Sequence, residues 1–474
     1  MYFRLGMHLF LIAVAISVAK TLSIIPFVLP VAILTTLAAA RNRNKYFDAV
    51  DMFWLLNQLA FVAAPARSFG EPDDSILFSR GVIVQFDFAQ YVYPQIDLIL
   101  LFTFITLATI VNFVILPKTQ ILRRRTNHQL NMPLTLLLAF LLVSFVALIV
   151  MGGGLANTLM PRYEKVRSGG TFIAVIPMGF YLASFWLTAI KLKSARLLVR
   201  VITHLLIVVL TLILYNPFNA PRFFLIQAWM PYFLIVFPRM RQMKIFIGGL
   251  AFGMIVLMPI LSATTRHGTG ADLSDLEISG TKFLGFMDTH IVMLHMVDMV
   301  MRDGYQLGSS TLAAVGFFVP RAIWPDKPIA INLVVGSELF GYGFVGTSNL
   351  SGPIIGDFYF DFGLLGIIVG SVLVALFFRR FLRQGLVVNG IPLVEYITIA
   401  ALPIIFRGAV GSVIGPVAFS LGACFVLVLV INRIRLKPSR LPSAGLSPPH
   451  RQDATDHAHR LSERRVPHLD QGTS

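Results

Sequence analysis

Runs of about 20 apolar residues recur along this chain, separated by charged or proline-containing gaps, and each run is long enough to cross a bilayer as a helix. The pattern predicts helices near 5–19, 21–40, 50–66, 96–116, 132–151, 171–190, 200–215, 222–238, 244–262, 357–378, 391–407 and 412–431. The third is the weakest, because Asp51 and Asn57 interrupt it. The expected fold class is therefore all-α: a polytopic membrane protein of about twelve transmembrane helices with one long external loop containing an amphipathic helix. Spans one to nine fall in 1–262, the external loop in 263–356 and spans ten to twelve in 357–431. Residues 432–474 carry many Pro, Ser, His and charged residues with almost no large apolar ones, the composition of a disordered tail.

Composition supports the membrane class. Of 474 residues 56% are hydrophobic and only 13% are charged, against about 25% charged in soluble domains; the mean hydropathy is +0.77. The net charge of +16 is distributed by gap rather than spread evenly. "RNRNK" at 41–45, Lys118 with "ILRRRTN" at 121–127, "KLKSARLLVR" at 191–200, "RMRQMK" at 239–244 and "RRFLR" at 379–383 hold seventeen Lys and Arg, whereas the alternate short gaps hold seven. Basic short loops stay in the cytoplasm, so the first set is inside, both termini are cytoplasmic and the span count is even. The basic excess is thus accounted for by membrane topology and does not call for nucleic acid. "SVA" at 17–19 before Lys20 resembles a signal-peptidase site, but the next span begins at once, which favours retention. The single Cys424 lies in an apolar run and excludes a disulfide framework or a cysteine metal site. "HAH" at 457–459 reads as a chance pair in the tail, and His204 as a packed residue inside span seven. The chain shows no internal repeat, Walker motif, nucleotide-type GxGxxG or heptad run.

A structureless loop as long as 263–356 is unusual, so it should contain its own elements. "FLGFMDTHIVMLHMVDMVMR" at 283–302 reads as an amphipathic helix. At about 100° per residue, Asp288, His295, Asp298 and Arg302 share an arc of about 80°. Either the helix lies on the bilayer or the spans with a solvated stripe, or Asp288 or His295 faces a site. "VPRAIWPDKP" at 319–328 follows, where Pro320 and Pro325 forbid regular helix. Trp324 suits a membrane–water boundary. Arg321 and Lys327 are then held on a stiff turn, as an interfacial anchor or as an anion-binding corner. Asp357 and Asp361, four residues apart, share a helix face at the mouth of the tenth span. Carboxylates there are costly unless hydrated or paired; Asp357 fits either general-base chemistry or a helix N-cap.

The remaining external arginines sit at span ends: Arg162 and Arg167 in "MPRYEKVRSGG", Arg222 opening span eight and Arg407 closing span eleven. Each alone is an ordinary snorkelling anchor. Together with Arg321 and Lys327 they suggest a cationic ring at the depth of a lipid-linked phosphate, which the planar arginine fork binds through paired hydrogen bonds.

The pair "PRAIWPDKP" and, some thirty residues on, "GDFYFDFGLLG" opening a span resembles the bacterial oligosaccharide repeat-unit polymerases, or O-antigen polymerases. The span layout, the long external loop before the last three spans and the arginine at the start of a mid-chain span are also similar. Where the family pattern has Gly-Glu before the aromatic, this chain has Gly356-Asp357, one methylene shorter. The resemblance implies an enzyme of the bacterial cytoplasmic membrane that transfers a growing glycan from undecaprenyl pyrophosphate to a new lipid-linked repeat unit. It implies lipid-linked oligosaccharides and membrane lipids as ligands, and a chain-length regulator and a flippase as protein partners; no DxD metal motif appears in the external loop, so chemistry without a metal or cofactor is expected. Arg162, Arg222, Arg321 and Arg407, with Arg167 and Lys327 in support, would stabilise charge on the leaving pyrophosphate. Asp357, then Asp288, then His295, are the candidate bases. An O-antigen ligase-like transferase shares these parts and differs in acceptor. A flippase or transporter would place ionisable groups at mid-bilayer and show repeats.

Overall fold

A computed structural model describes residues 2–19, 22–42, 44, 46–68, 74–79, 82–87, 95–116, 132–160, 174–217, 220–257, 260, 289–319, 323–340, 352–382, 386–388, 391–408 and 410–434. Helix occupies each of the twelve expected apolar segments. These helices are α1 (Tyr2–Val18), α2 (Ile25–Arg41), α3 (Ala49–Arg67), α4 (Gln95–Ile115), α5 (Leu134–Met151), α6 (Val175–Lys191), α7 (Leu197–Leu214), α8 (Arg222–Val236) and α9 (Met243–Phe252). The intervening region supplies α10 (Thr289–Asp303), α11 (Ser309–Val315) and α12 (Ile331–Phe340). The chain then forms α13 (Ile354–Phe381), α14 (Leu393–Arg407) and α15 (Val410–Ile434). Among the described residues six helices are long and apolar enough to cross a membrane: α3, α4, α5, α6 with its final turn, α7 and α13; the others are shorter apolar helices. Large apolar side chains face outward, with Leu198 72% and Val143 69% exposed, as the helices of an all-α membrane protein require. Residues up to Ile431 form one compact unit and Asn432–Ser474 a second; the proposed tail disorder and "HAH" lie outside the described residues.

Three features depart from the sequence reading. The gap after α3 holds an antiparallel hairpin, β1 (Asp74–Ser79) with β2 (Val82–Asp87), and a two-residue pair, β3 (Val387–Val388) with β4 (Ile391–Pro392), precedes α14. The fold is therefore mostly, not entirely, helical. The run "ILFSRGVIVQF" is rich in β-branched and aromatic residues around a glycine, which is a hairpin signal.

Second, α3 has the lowest mean hydropathy of the six long helices, in line with its interruption by Asp51 and Asn57, yet it is the most enclosed: the whole of its apolar window is buried. Its polar residues face protein instead of lipid. The Asn57 amide donates to the Phe53 carbonyl at 3.0 Å and the Gln58 amide to the His8 carbonyl at 2.9 Å. Asp48 and Asp51 form a capping box at its start, each side chain receiving the other's backbone N–H. Arg4 of α1 grips Asp51 through both carboxylate oxygens, at 2.7 and 2.8 Å, and also reaches the carbonyls of Asn44 and Tyr46. Asn42 bridges Asp48 and Asp51. Nearby, Arg241 donates to Glu395 at 2.8 Å and to the Phe47 carbonyl at 3.0 Å. This buried network joins the start of α1, the end of α2, the start of α3, the α8–α9 turn and the start of α14 at one end of the bundle. Arg41, over the Phe113 ring and bonded to its carbonyl at 2.9 Å, adds the end of α4.

Third, α13 is not one continuous helix. Gly363 has φ 61° and ψ −141°, a conformation that only glycine adopts without strain. A Cβ on Gly370 would collide with the Phe358 ring, and one on Gly366 would meet the Phe358 carbonyl. Phe358 and Gly370 are twelve residues apart, about 18 Å in a straight helix. The chain therefore turns back at Gly363, and residues 354–362 pack against the start of the longer arm.

Candidate active site

The end of the bundle opposite the Arg4–Asp51 network is built by the first turn of α4, by α10 to α12 and by the short arm of α13. α10 is packed among the helices rather than laid on a surface: Val292, Met293, His295, Met296 and Val297 are all essentially covered. It meets the short arm where Gly356 lets the Met296 sulfur approach, since a Cβ there would come within 2.6 Å of it. The glycine of the Gly356-Asp357 pair thus serves a close helix–helix contact.

The elbow explains how this end is tied together. Bending at Gly363 leaves the carbonyls of Phe360 and Asp361 without the partners a continuous helix would give them. The turn after α10 supplies these: the Gln306 N–H donates to the Phe360 carbonyl at 3.0 Å and the Leu307 N–H to the Asp361 carbonyl at 3.1 Å. Asp361, fully buried, accepts from the backbone N–H groups of Ser310 at 2.9 Å and Thr311 at 2.6 Å. These are the first-turn donors of α11, whose own N-cap residue is Gly308 and has no side chain to offer. Asp361 caps a helix from another segment. Asp357 is 2% exposed and accepts the Ser310 hydroxyl at 3.1 Å. It is not the N-cap of α13, a position held by Pro353.

A second polar group lies on α10 and α12. His295, 1% exposed, places Nε2 3.7 Å from Oε2 of Glu338, within ion-pair reach but longer than a hydrogen bond. Oε1 of Glu338 is held by Arg302, which also pairs with Asp303 at 3.0 Å and with Asp298 at 3.9 Å. Burial holds the His295 imidazole below its usual pKa range, opposed by the negative charges of Glu338 and Asp298. Asp97, at the start of α4, is covered and within electrostatic reach of Asp298 and of Tyr359. Tyr359 packs on Phe104, with ring centroids 4.6 Å apart, and edge-on against Tyr305 at 6.4 Å.

Of the candidate bases, His295 and Asp357 therefore stand on elements packed together, and Asp288 lies outside the described residues, directly before α10. Among the candidate cations, Arg162, Arg167 and Arg321 lie outside the described residues, as does the side chain of Arg407. The backbone still places Arg407. α8 and α14 pack side by side, and the Arg241–Glu395 pair joins the end of α8 to the start of α14. The two helices thus run antiparallel, and Arg222 and Arg407 lie at the end away from that pair. The Thr289 hydroxyl donates to the Phe406 carbonyl at 3.4 Å, which brings the start of α10 against this arginine-bearing end. Lys327 has a structural employment: its ammonium donates to the carbonyls of Phe317 at 3.1 Å and Val319 at 3.2 Å, while the Trp324 ring covers Gly316. The "WPDKP" turn folds back to close the carbonyl end of the segment after α11. Sequence reasoning missed Glu338 and Asp97. Asp97 carried a usable signal, as a lone charge opening an apolar helix; Glu338 carried none until α12 was placed beside α10. No family model, curated protein or solved structure matches the chain.

Proposed function

We propose that the protein is a membrane-embedded glycosyltransferase that polymerises lipid-pyrophosphate-linked oligosaccharide repeat units on the outer side of the bacterial cytoplasmic membrane, with both termini inside. The observation that carries this reading is a cluster of acid–base side chains at one end of an apolar helix bundle, with His295, Asp357 and Asp97 buried and Asp298 and Glu338 at the rim, the end that also bears Arg222 and Arg407. Glycosyl transfer from a lipid pyrophosphate needs those two parts together. A base accepts the proton of the acceptor hydroxyl. Fixed cations stabilise negative charge as the pyrophosphate leaves, and they act most strongly where water is excluded. Exclusion of water also protects the donor from hydrolysis. The resemblance of "PRAIWPDKP" and "GDFYFDFGLLG" to the repeat-unit polymerases supports the same reaction, and the segregation of basic loops supports the orientation.

The test is reconstitution of the purified protein with synthetic undecaprenyl-pyrophosphate repeat units, read as a glycan ladder. Wild type builds the ladder. Arg222→Ala and Arg407→Ala abolish it at normal protein level, and lysine at either position restores it in part, because it keeps charge but loses the fork. Asp357→Asn slows extension by about 10²–10⁴ if this carboxylate takes the proton. Long ladders from both alanine variants would reduce these arginines to membrane anchors, and a wild type without a ladder would remove the reaction.

A further inference from the structure

We propose that Glu338 is a positioning residue for His295, and that the two together form the proton-accepting unit of the glycosyl transfer; the inference rests on the reaction proposed above. Glu338 lies on α12 and His295 on α10, so their approach at 3.7 Å is made by tertiary packing and by nothing local in the sequence. The unit is ordered from outside inward. Arg302 is half-exposed and holds one carboxylate oxygen of Glu338, while the other faces the imidazole. Arg302 and His295 are seven residues apart on α10 and therefore share a face. Asp303 and Asp298 fix the guanidinium from the same helix. Glu338 is 28% exposed, against 2% for the His295 side chain. It thus stands at the rim of the cluster, with the imidazole behind it. At 3.7 Å the carboxylate is within ion-pair reach of the imidazole and stabilises an imidazolium that forms on it.

The acceptor hydroxyl proton passes to the neutral His295 imidazole as its oxygen bonds to the donor sugar carbon. The bond from that carbon to the pyrophosphate oxygen breaks, and lipid pyrophosphate leaves with the bonding pair. The other titratable groups carried by α10 and by the helices packed on it are His290, Asp298, Arg302 and Asp303 on α10, Asp51 and Arg67 on α3, Asp97 on α4, and Asp357, Tyr359, Asp361, Arg379 and Arg380 on α13, of which Asp51, Arg379 and Arg380 lie toward the opposite end of the bundle.

The experiment compares wild type, Glu338→Gln, Glu338→Asp and His295→Gln in the full-length protein. Two quantities are read across pH: ladder extension per folded molecule, and the exchange of the His295 ring C2 proton for deuterium, followed by mass spectrometry of its peptide. The Glu338 charge opposes the burial that depresses His295, so its removal moves the imidazole's titration to lower pH. The neutral imidazole is the base, so the acid limb of the rate profile moves down with it. Glu338→Gln is expected to shift both midpoints together and to slow extension at least tenfold and by up to about 10⁴-fold, the loss seen when the carboxylate behind a general-base histidine is neutralised. Glu338→Asp restores the limb while leaving extension slow, and His295→Gln gives no ladder. An unchanged exchange midpoint in folded Glu338→Gln overturns the proposal, as does a shifted midpoint with wild-type extension. A wild type that makes no ladder removes the reaction and with it the catalytic half; the exchange midpoint then still decides whether the two side chains act as a unit.

Discussion

Arg4 ties α1 to the start of α3, and its removal should have a large effect on stability. Its guanidinium is almost fully covered and makes four hydrogen bonds, two to Asp51 and one each to the carbonyls of Asn44 and Tyr46. Arg4→Ala leaves the Asp51 carboxylate buried with only the Asn42 amide, at 2.7 Å, and the Asp48 N–H, at 3.2 Å. Removing one partner of a buried ion pair costs about 3–5 kcal/mol, mostly because the surviving charge is uncompensated. The two carbonyls lose donors as well, but these losses overlap and do not add. The expected destabilisation is therefore about 3–5 kcal/mol, a large fraction of a total stability of about 5–15 kcal/mol. Equilibrium unfolding of the purified protein in mixed micelles of mild detergent and SDS measures it. Arg4→Lys should recover only part, because one ammonium cannot replace a planar fork that reaches two carboxylate oxygens and two carbonyls. Arg4→Met combined with Asp51→Leu should lose less than the sum of the two single variants, since the pair leaves together. A change below about 0.5 kcal/mol in Arg4→Ala would show that the network does not hold α1 to α3, and strict additivity in the double variant would deny the coupling.

Two further expectations concern the elbow and its cap. Asp361→Ala removes the side chain that caps α11 and should cost about 1–2 kcal/mol, measured by the same unfolding assay; hydrogen exchange should rise at Ser310 and Thr311 in particular, and uniform exchange along the chain would contradict the cap. Gly363→Ala places a Cβ in a backbone conformation that disfavours it, 2.7 Å from the Tyr305 ring, and should cost about 1–3 kcal/mol from backbone strain alone; near-wild-type stability would mean that the short arm of α13 can straighten.

The length of the apolar runs was enough to locate twelve of the helices, because a bilayer-length apolar run has few other solutions, whereas the short α11 and α12 were not foreseen. The alternation of basic gaps also carried spatial information: Tyr46, Arg241 and Glu395, which adjoin three of the basic gaps, meet in one network. What the sequence left open was the meaning of each polar residue within an apolar run. Asp51 read as a defect in span three because its partner, Arg4, is 47 positions away and only folding brings them together. Asp357 and Asp361 read as neighbours on one helix face. That spacing was legible, but the partners that divide their roles, Ser310 for one and the first turn of α11 for the other, come from a segment about fifty residues earlier. The elbow was written locally as Gly363, yet a glycine in an apolar run is compatible with continuous helix. The decision to bend came from packing, in which Phe358 closes on Gly366 and Gly370 and the freed carbonyls find donors in the turn at 306–307. Glu338 belongs wholly to the tertiary structure: nothing in "VVGSELF" points to a histidine, and the contact exists only because α12 lies against α10. Short-range pattern fixes which segments become helices, since burial and backbone satisfaction in an apolar medium act along each segment. The pairing of charges depends on which helices pack together, and that is decided by the whole chain at once.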